Sequence, residues 1–166
     1  MNAVVRPSQR PRGFHRLLRA CVSPDVFDFW ASRLDRSWTW GRPLARIVQR
    51  RPESRDAVTL VLQPNRHWRG FRAGQHLNVS VEIDGTAVTR SYSLSNAPRT
   101  DGRVEITVKR VEGGRVSNHL FDRACVGDVL SIGHAFGEMT HAHDDGGRLF
   151  LAAGSGITPL MALVGE

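Results

Sequence analysis

From residue 43 onward, stretches of the chain place apolar residues at every second position. Leu77, Val79 and Val81 alternate with Asn78, Ser80 and Glu82, and Val104, Ile106 and Val108 with Glu105, Thr107 and Lys109. A period of two marks a strand with one buried face. The pattern predicts six strands, over residues 43–50, 57–63, 76–83, 87–95, 103–111 and 128–133. Asp84-Gly85, between the third and fourth, is a hairpin signal, and Asp101-Gly102 and Gly113-Gly114 mark further turns. One short helix, Ser117 to Arg123, interrupts the series before Gly127-Asp128. Half-buried antiparallel strands joined in this way predict a mainly β domain, a small barrel or sandwich.

The two ends follow different rules. Residues 1–12 are polar and rich in Arg and Pro, and are expected to be disordered. Phe14, Leu17, Leu18 and Cys21 then fall at helical spacing, and Ser23-Pro24 reads as an N-cap followed by proline at the first helical position. The second helix would place Val26, Phe27, Trp30 and Leu34 on one side, more apolar surface than a short hairpin can bury alone. These side chains must therefore pack on the body of the protein or on a partner, and packing into the core is the expectation. At the other end, Asp144 to Gly147 is a polar link, and Arg148 to Ala153 reads as a fully buried parallel strand. Gly154-Ser155-Gly156 then leads into a helix, which is how a doubly wound α/β domain opens. The expected organisation is a basic, partly helical preface over residues 1–41, a barrel over 42–143 and the start of a nucleotide-binding domain over 144–166.

Length and charge narrow the possibilities. The 166 residues suit one ordinary domain, and no run approaches the roughly 20 apolar residues of a membrane-spanning helix. No secretory signal is visible, and Cys21 and Cys125 form neither a disulfide framework nor a zinc-type cluster, so a reduced, cytoplasmic protein is expected. The net charge is +7, but residues 1–55 hold 12 basic and 4 acidic side chains, which leaves residues 56–166 near neutral. A rival reading, a basic β-barrel that binds nucleic acid, therefore has only the preface to support it.

Three stretches carry candidate chemistry. Arg90-Ser91-Tyr92-Ser93-Leu94-Ser95 closes a predicted strand. In a regular strand Arg90, Tyr92 and Leu94 point one way and the three serines the other. A cation beside the chain's one tyrosine suits a planar polar ligand, or equally a surface arginine beside a packed ring. Thr107-Val108-Lys109 precedes Gly113-Gly114-Arg115-Val116-Ser117, where the glycines permit close backbone approach. Ser117 would cap a helix whose free N–H groups can receive a phosphate, although an ordinary capped helix reads the same way. Gly154 to Pro159 is a glycine turn without the lysine of a P-loop or the spacing of GxGxxG, and is weak by itself.

Taken in order, these stretches make the chain from about residue 43 resemble the ferredoxin–NADP reductase superfamily. The resemblance implies a six-stranded antiparallel Greek-key barrel with one helix, followed by a truncated α/β nucleotide domain. It implies that Arg90 pairs with a flavin pyrophosphate, that Tyr92 packs on the isoalloxazine and that Ser93 acts catalytically beside N5, with Ser91 in the same segment. The backbone of Thr107, Val108 and Lys109 would read the pyrimidine edge. Gly114, Arg115, Val116 and Ser117 would hold phosphate, and Gly154, Gly156 and Thr158 would open the nucleotide half.

FAD is the implied cofactor, with FMN the alternative and NAD(P)H the electron donor. The arginine-rich preface resembles reductases that serve membrane fatty-acyl desaturases and carry a C-terminal ferredoxin domain. The implied protein is a ferredoxin–NAD(P) reductase-type oxidoreductase. Its partners would be a ferredoxin or fused iron–sulfur domain, and a membrane-bound desaturase or an oxygenase. This chain has no [2Fe-2S] segment of its own, and no nucleic-acid partner or membrane span is expected. Beside such a module the basic preface would favour an acidic protein or an anionic membrane surface, making the protein cytoplasmic or peripheral, or would equally be a solubilising tail that binds nothing in particular. The isolated chain would bind flavin and turn over NAD(P)H poorly.

Some residues depart from the family pattern. His134 stands in Gly133-His134-Ala135-Phe136-Gly137, where members carry Gly-Pro-Phe-Gly, and reads as a loop histidine. His76 follows Gln75 where a tyrosine is frequent, and reads as a barrel-edge residue. His141 and His143 with Asp144 and Asp145 read as a solvated loop rather than a metal site, and Cys125 as a small buried side chain.

Overall fold

Ser23 accepts a hydrogen bond from the Val26 N–H at 3.3 Å and starts helix α1, Pro24–Leu34, with proline at its first position. The computed structural model describes residues 23–140 and 149–165. The predicted helix over 13–21 and the His141, His143, Asp144 and Asp145 cluster lie outside those residues. The chain divides into two compact units, Met1–Trp40 and Gly41–Glu166. In the first, α1 packs on its own return segment. Phe27 meets Trp40 edge-on at 5.1 Å, the Asp28 carboxylate accepts from the Trp40 N–H, and Ala31 is buried. The expected core face is turned outward instead: Val26, Trp30 and Leu34 are exposed and only Phe27 is half-buried. The short return offers room for Phe27 and Ala31 but not for the opposite side of the helix.

The second unit opens with β1, Leu44–Pro52, and β2, Ala57–Pro64, followed by the hairpin β3, His76–Ile83, and β4, Thr86–Ser93. Asp84 and Gly85 both have positive φ, +52° and +70°, as expected for a two-residue turn that matches strand twist. After them come β5, Val104–Lys109, helix α2, Arg115–Asp122, and β6, Val129–Ile132. A 3₁₀ turn, Gly154–Gly156, leads into α3, Ile157–Val164. All pairings are antiparallel, in the order β4-β3-β6-β1-β2-β5. The crossover that puts β6 between β1 and β3 gives the Greek-key arrangement. Leu94 bridges to Ile106, and the Ser95 N–H donates to the Glu105 carbonyl at 2.9 Å, so the two ends of the sheet meet and the barrel closes.

The interior is filled by the period-two residues. Leu77, Val79, Val104, Ile106 and Val108 are fully buried with Ile47, Leu60, Leu62 and Leu94, and α2 adds Val116 and Leu120. α3 packs through Leu160, Ala162 and Leu163, which cluster with Ala73. Three expectations change. Leu149 to Ala153 forms no strand, and Leu149 and Leu151 are more than 80% exposed. A buried parallel strand needs partners on its edges, and none lies beside this segment among the described residues. Cys125 is exposed, because Ala124 takes the buried position in that turn. His76 is no edge residue, since it pairs with Ser93 of β4 on one side and bridges to Phe136 on the other.

Candidate functional site: the open seam of the barrel

The register of β3 on β4 decides which side chains share a face. Tyr92 stands opposite Leu77 and Arg90 opposite Val79, both core residues, so the two lie on the core-facing side of β4 together with Leu94. Ser91 and Ser93 stand opposite Asn78 and His76 on the other side. The Ser91 hydroxyl is turned away from Arg90 and donates to Asn78 Oδ1 at 2.6 Å. Leu94↔Ile106 is the only bridge between β4 and β5 among the described residues. Beyond it the seam stays open, with Arg90 and Tyr92 on one lip and Val108 and Lys109 on the other. α2 packs beside β5, β3 and β4, and so lies next to the same opening.

Arg90 is exposed, its guanidinium donating to the Thr89 carbonyl at 2.8 Å. Tyr92 is half-buried against the core. That burial pushes its phenol above the ordinary value, and the nearby Arg90 charge pulls the other way. Across the seam the Val108 side chain is buried, so only its backbone faces outward, and Lys109 pairs with Asp56 at 3.3 Å. The Thr107 side chain points off the opposite face of β5 and shares a 2.9 Å hydrogen bond with Thr59.

The cap of α2 differs from the expected one. Gly114, not Ser117, is the N-cap, and it makes no side-chain hydrogen bond; Ser117 sits one turn inside. A Cβ at Gly114 would meet Ser117 Oγ at 2.3 Å and the Val111 carbonyl oxygen at 3.0 Å, so a side chain there would displace the Ser117 hydroxyl and crowd the turn. The first N–H groups of α2 are therefore left without a side-chain acceptor. Arg115 is exposed beside them and Val116 anchors the turn in the core.

Gly154 and Gly156 are exposed, in the 3₁₀ turn that leads into α3. Thr158 belongs to a second feature, a shallow hollow of about 380 Å³ on the outer face of β1, β2 and β5. Thr59, Ser95, Thr107, Ile157 and Met161 also line it. Its charged wall is Arg51, bound to Glu53 at 2.8 Å and to Glu105 at 3.0 Å. The Arg51 hydrogen bond holds the Glu53 carboxyl below the usual range. Ser95 Oγ is buried without a partner. Sequence reasoning passed over Ser95 although it lies inside the Arg90–Ser95 hexapeptide, and it missed His76, which stands directly across from Ser93. The Arg51–Glu105 pair left no local signal, its members being 54 residues apart.

A closed antiparallel barrel that leaves one seam open, with a cation, a phenol and an uncapped helix start around it, belongs to the class of barrels that hold a nucleotide cofactor. The family model for the oxidoreductase FAD-binding domain matches residues 45–141, and the chain belongs to that family. The chain is 35% identical to a flavohemoprotein of Pseudomonas aeruginosa, an alignment covering 82% of this chain and 35% of that protein. It is 37% identical to a glycine betaine monooxygenase reductase subunit of the same species, over 76% of this chain and 35% of the relative. Among solved structures, the flavohem-like FAD/NAD binding domain of nitric oxide dioxygenase from Vibrio cholerae superposes with a TM-score of 0.69. Identity there is 26%, over 75% of this chain and 56% of the other. The chain spans about a third of the length of the curated relatives it matches.

FAD is anionic along its pyrophosphate and planar at its ring, and the seam fits both demands. Gly114 leaves the helix start without a side chain over it, the start of α2 offers N–H donors with no side-chain cap, and Arg90 and Arg115 add fixed positive charge. Tyr92 supplies an aromatic surface at the mouth of the opening.

Proposed function

We propose that this chain is the flavin-holding module of a reductase that takes electrons from NAD(P)H and passes them to a ferredoxin or [2Fe-2S] partner serving an oxygenase. The observation that carries the reading is the open seam between β4 and β5, with Arg90 and Tyr92 on one lip and the uncapped start of α2 beside it. Held there by Arg90 and the α2 N–H groups, a flavin would supply the exchange of electron pairs with a nicotinamide and of single electrons with an acceptor.

The chain's own residues bind and orient. Arg90 and the α2 N–H groups hold the pyrophosphate, Tyr92 packs on the ring, and the Val108–Lys109 backbone reads its polar edge. The role of Ser93 near the reacting nitrogen rests on the family resemblance, because its side chain lies on the other face of β4 from Tyr92, opposite His76. The oxygenase-linked role draws on the monooxygenase reductase subunit among the relatives. Gly154, Gly156 and Thr158 are the residues on this chain assigned to the nicotinamide side. Gly154 and Gly156 form an exposed turn, and Thr158 stands in the first turn of α3.

Reconstitution with FAD tests the assignment. The parent chain should take up FAD and show a flavin absorption spectrum. Arg90→Ala should weaken FAD binding roughly tenfold to a hundredfold, the loss of a charge-assisted hydrogen bond worth ~1.5–3 kcal/mol. A parent chain that binds no flavin, or an Arg90→Ala variant that binds as tightly as the parent, would overturn the site.

A further inference from the structure

α1 presents an outward face that neither its own return segment nor the cofactor reading uses. Val26, Phe29, Trp30 and Leu34 lie along one side of the helix and are 51%, 53%, 60% and 81% exposed. Trp38 in the return segment is also exposed. This is the reverse of an ordinary surface helix, which turns its apolar stripe inward. The polar residues explain the inversion: Asp28 receives the Trp40 N–H, and Asp35 receives the Ser37 N–H and hydroxyl at 2.8 Å, so both carboxylates are engaged in the return segment.

Arg33 sits in the middle of the exposed face. Its guanidinium lies over the Phe29 ring at 4.7 Å and the Trp30 ring at 5.5 Å, and among the described residues it has no carboxylate partner. In a dry protein interface an unpaired guanidinium is costly. At a lipid surface the same group meets phosphate oxygens while its aromatic neighbours enter the acyl boundary. The preceding 22 residues contain five arginines and no acidic residue, and Arg36 follows the helix. A second copy of this chain would bring like charge against like, whereas an anionic surface brings the complement. With 11 residues α1 is about 16 Å long, far short of the roughly 30 Å hydrocarbon core, so it would lie in the interface plane.

We infer that the exposed face of α1, with Arg33 at its centre, docks the protein on an anionic lipid bilayer, the charge of the arginines earlier in the sequence adding to the attraction. The inference stands independently of the flavin site. It is tested with the full-length chain and vesicles of phosphatidylcholine, with or without phosphatidylglycerol. The parent should co-sediment with the phosphatidylglycerol vesicles, less so as salt rises, and its tryptophan emission should shift to the blue on binding. Trp30→Ser combined with Leu34→Ser should lose about tenfold or more in vesicle affinity while keeping the parent's FAD binding and circular dichroism. Arg33→Glu, which keeps the apolar residues, should lose binding only to the anionic vesicles. A parent that stays in the supernatant, or that binds both kinds of vesicle equally and without salt dependence, overturns the inference. So does a lipid-free parent dimer that the double variant dissolves, because the face would then belong to self-association.

Discussion

Tyr92 stands where three effects meet: burial against the core, the Arg90 charge two residues away, and the opening between β4 and β5. It is the chain's only tyrosine, so its ionisation can be followed directly by phenolate absorbance. Burial disfavours the charged form, so the midpoint in the flavin-free chain should lie above the ordinary value of about 10. Because the folded value is raised, the neutral phenol's contribution to stability is present below the unfolded value and is lost as pH rises through the folded one. Arg90→Ala removes the charge that pulls the value down, and should move the midpoint higher still. A midpoint at or below 10 would mean that the ring is solvated. The alternation of Arg90, Tyr92 and Leu94 against the serines was legible in the sequence because strand geometry sets it. The different exposures of Arg90 and Leu94 on the same face were not, since they depend on where β5 departs from β4.

Among the elements, the six strands and the Asp84-Gly85 turn follow from local pattern, and their predicted limits agree with the observed ones to within about two residues. β2 departs from strict alternation, being buried from Val58 to Leu62, because it is covered on both faces. The connection before β3 shows how tightly loops can constrain an element. Gly74 has φ +86°, and a Cβ there would fall 1.7 Å from the Met139 carbonyl oxygen. Gly74→Ala should therefore destabilise the barrel by well over ~1 kcal/mol, read as a lower urea midpoint with an unchanged slope. A midpoint equal to the parent's would show that the 70–75 and 137–140 loops can separate freely. Leu149 to Ala153 is the counter-case. Its apolar run reads as a strand, yet a strand is a pairing and not a composition, and no strand pairs with the segment among the described residues.

At the scale of the whole second unit, α3 depends on tertiary contact. Leu160, Ala162 and Leu163 cluster with Ala73, while Ile157, Met161 and Val164 remain exposed. An eight-residue helix has little stability of its own, so this contact is what holds it. Leu163→Ala should raise amide hydrogen exchange throughout residues 157–164 and leave β3 and β5 nearly as protected as before. Equal loss of protection in the barrel strands would mean that α3 and the barrel unfold as one. The hollow beside α3 is likewise a product of assembly, because Arg51, Glu105 and Thr158 meet only once β1, β5 and α3 are in place.

Whatever depends on neighbours along the chain was determined by the sequence alone. The strand periods, the hairpin turn, the Ser23-Pro24 start of α1 and the motif residues around Arg90, Gly114 and Gly154 all arise within a few positions. Tertiary structure decided the rest. It left the seam open past Leu94↔Ile106, made Gly114 rather than Ser117 the cap of α2, brought His76 opposite Ser93 and turned the aromatic face of α1 outward. Each of these is set by which distant segments occupy a neighbouring volume, and a hydrophobic period specifies that a face is buried without specifying what buries it.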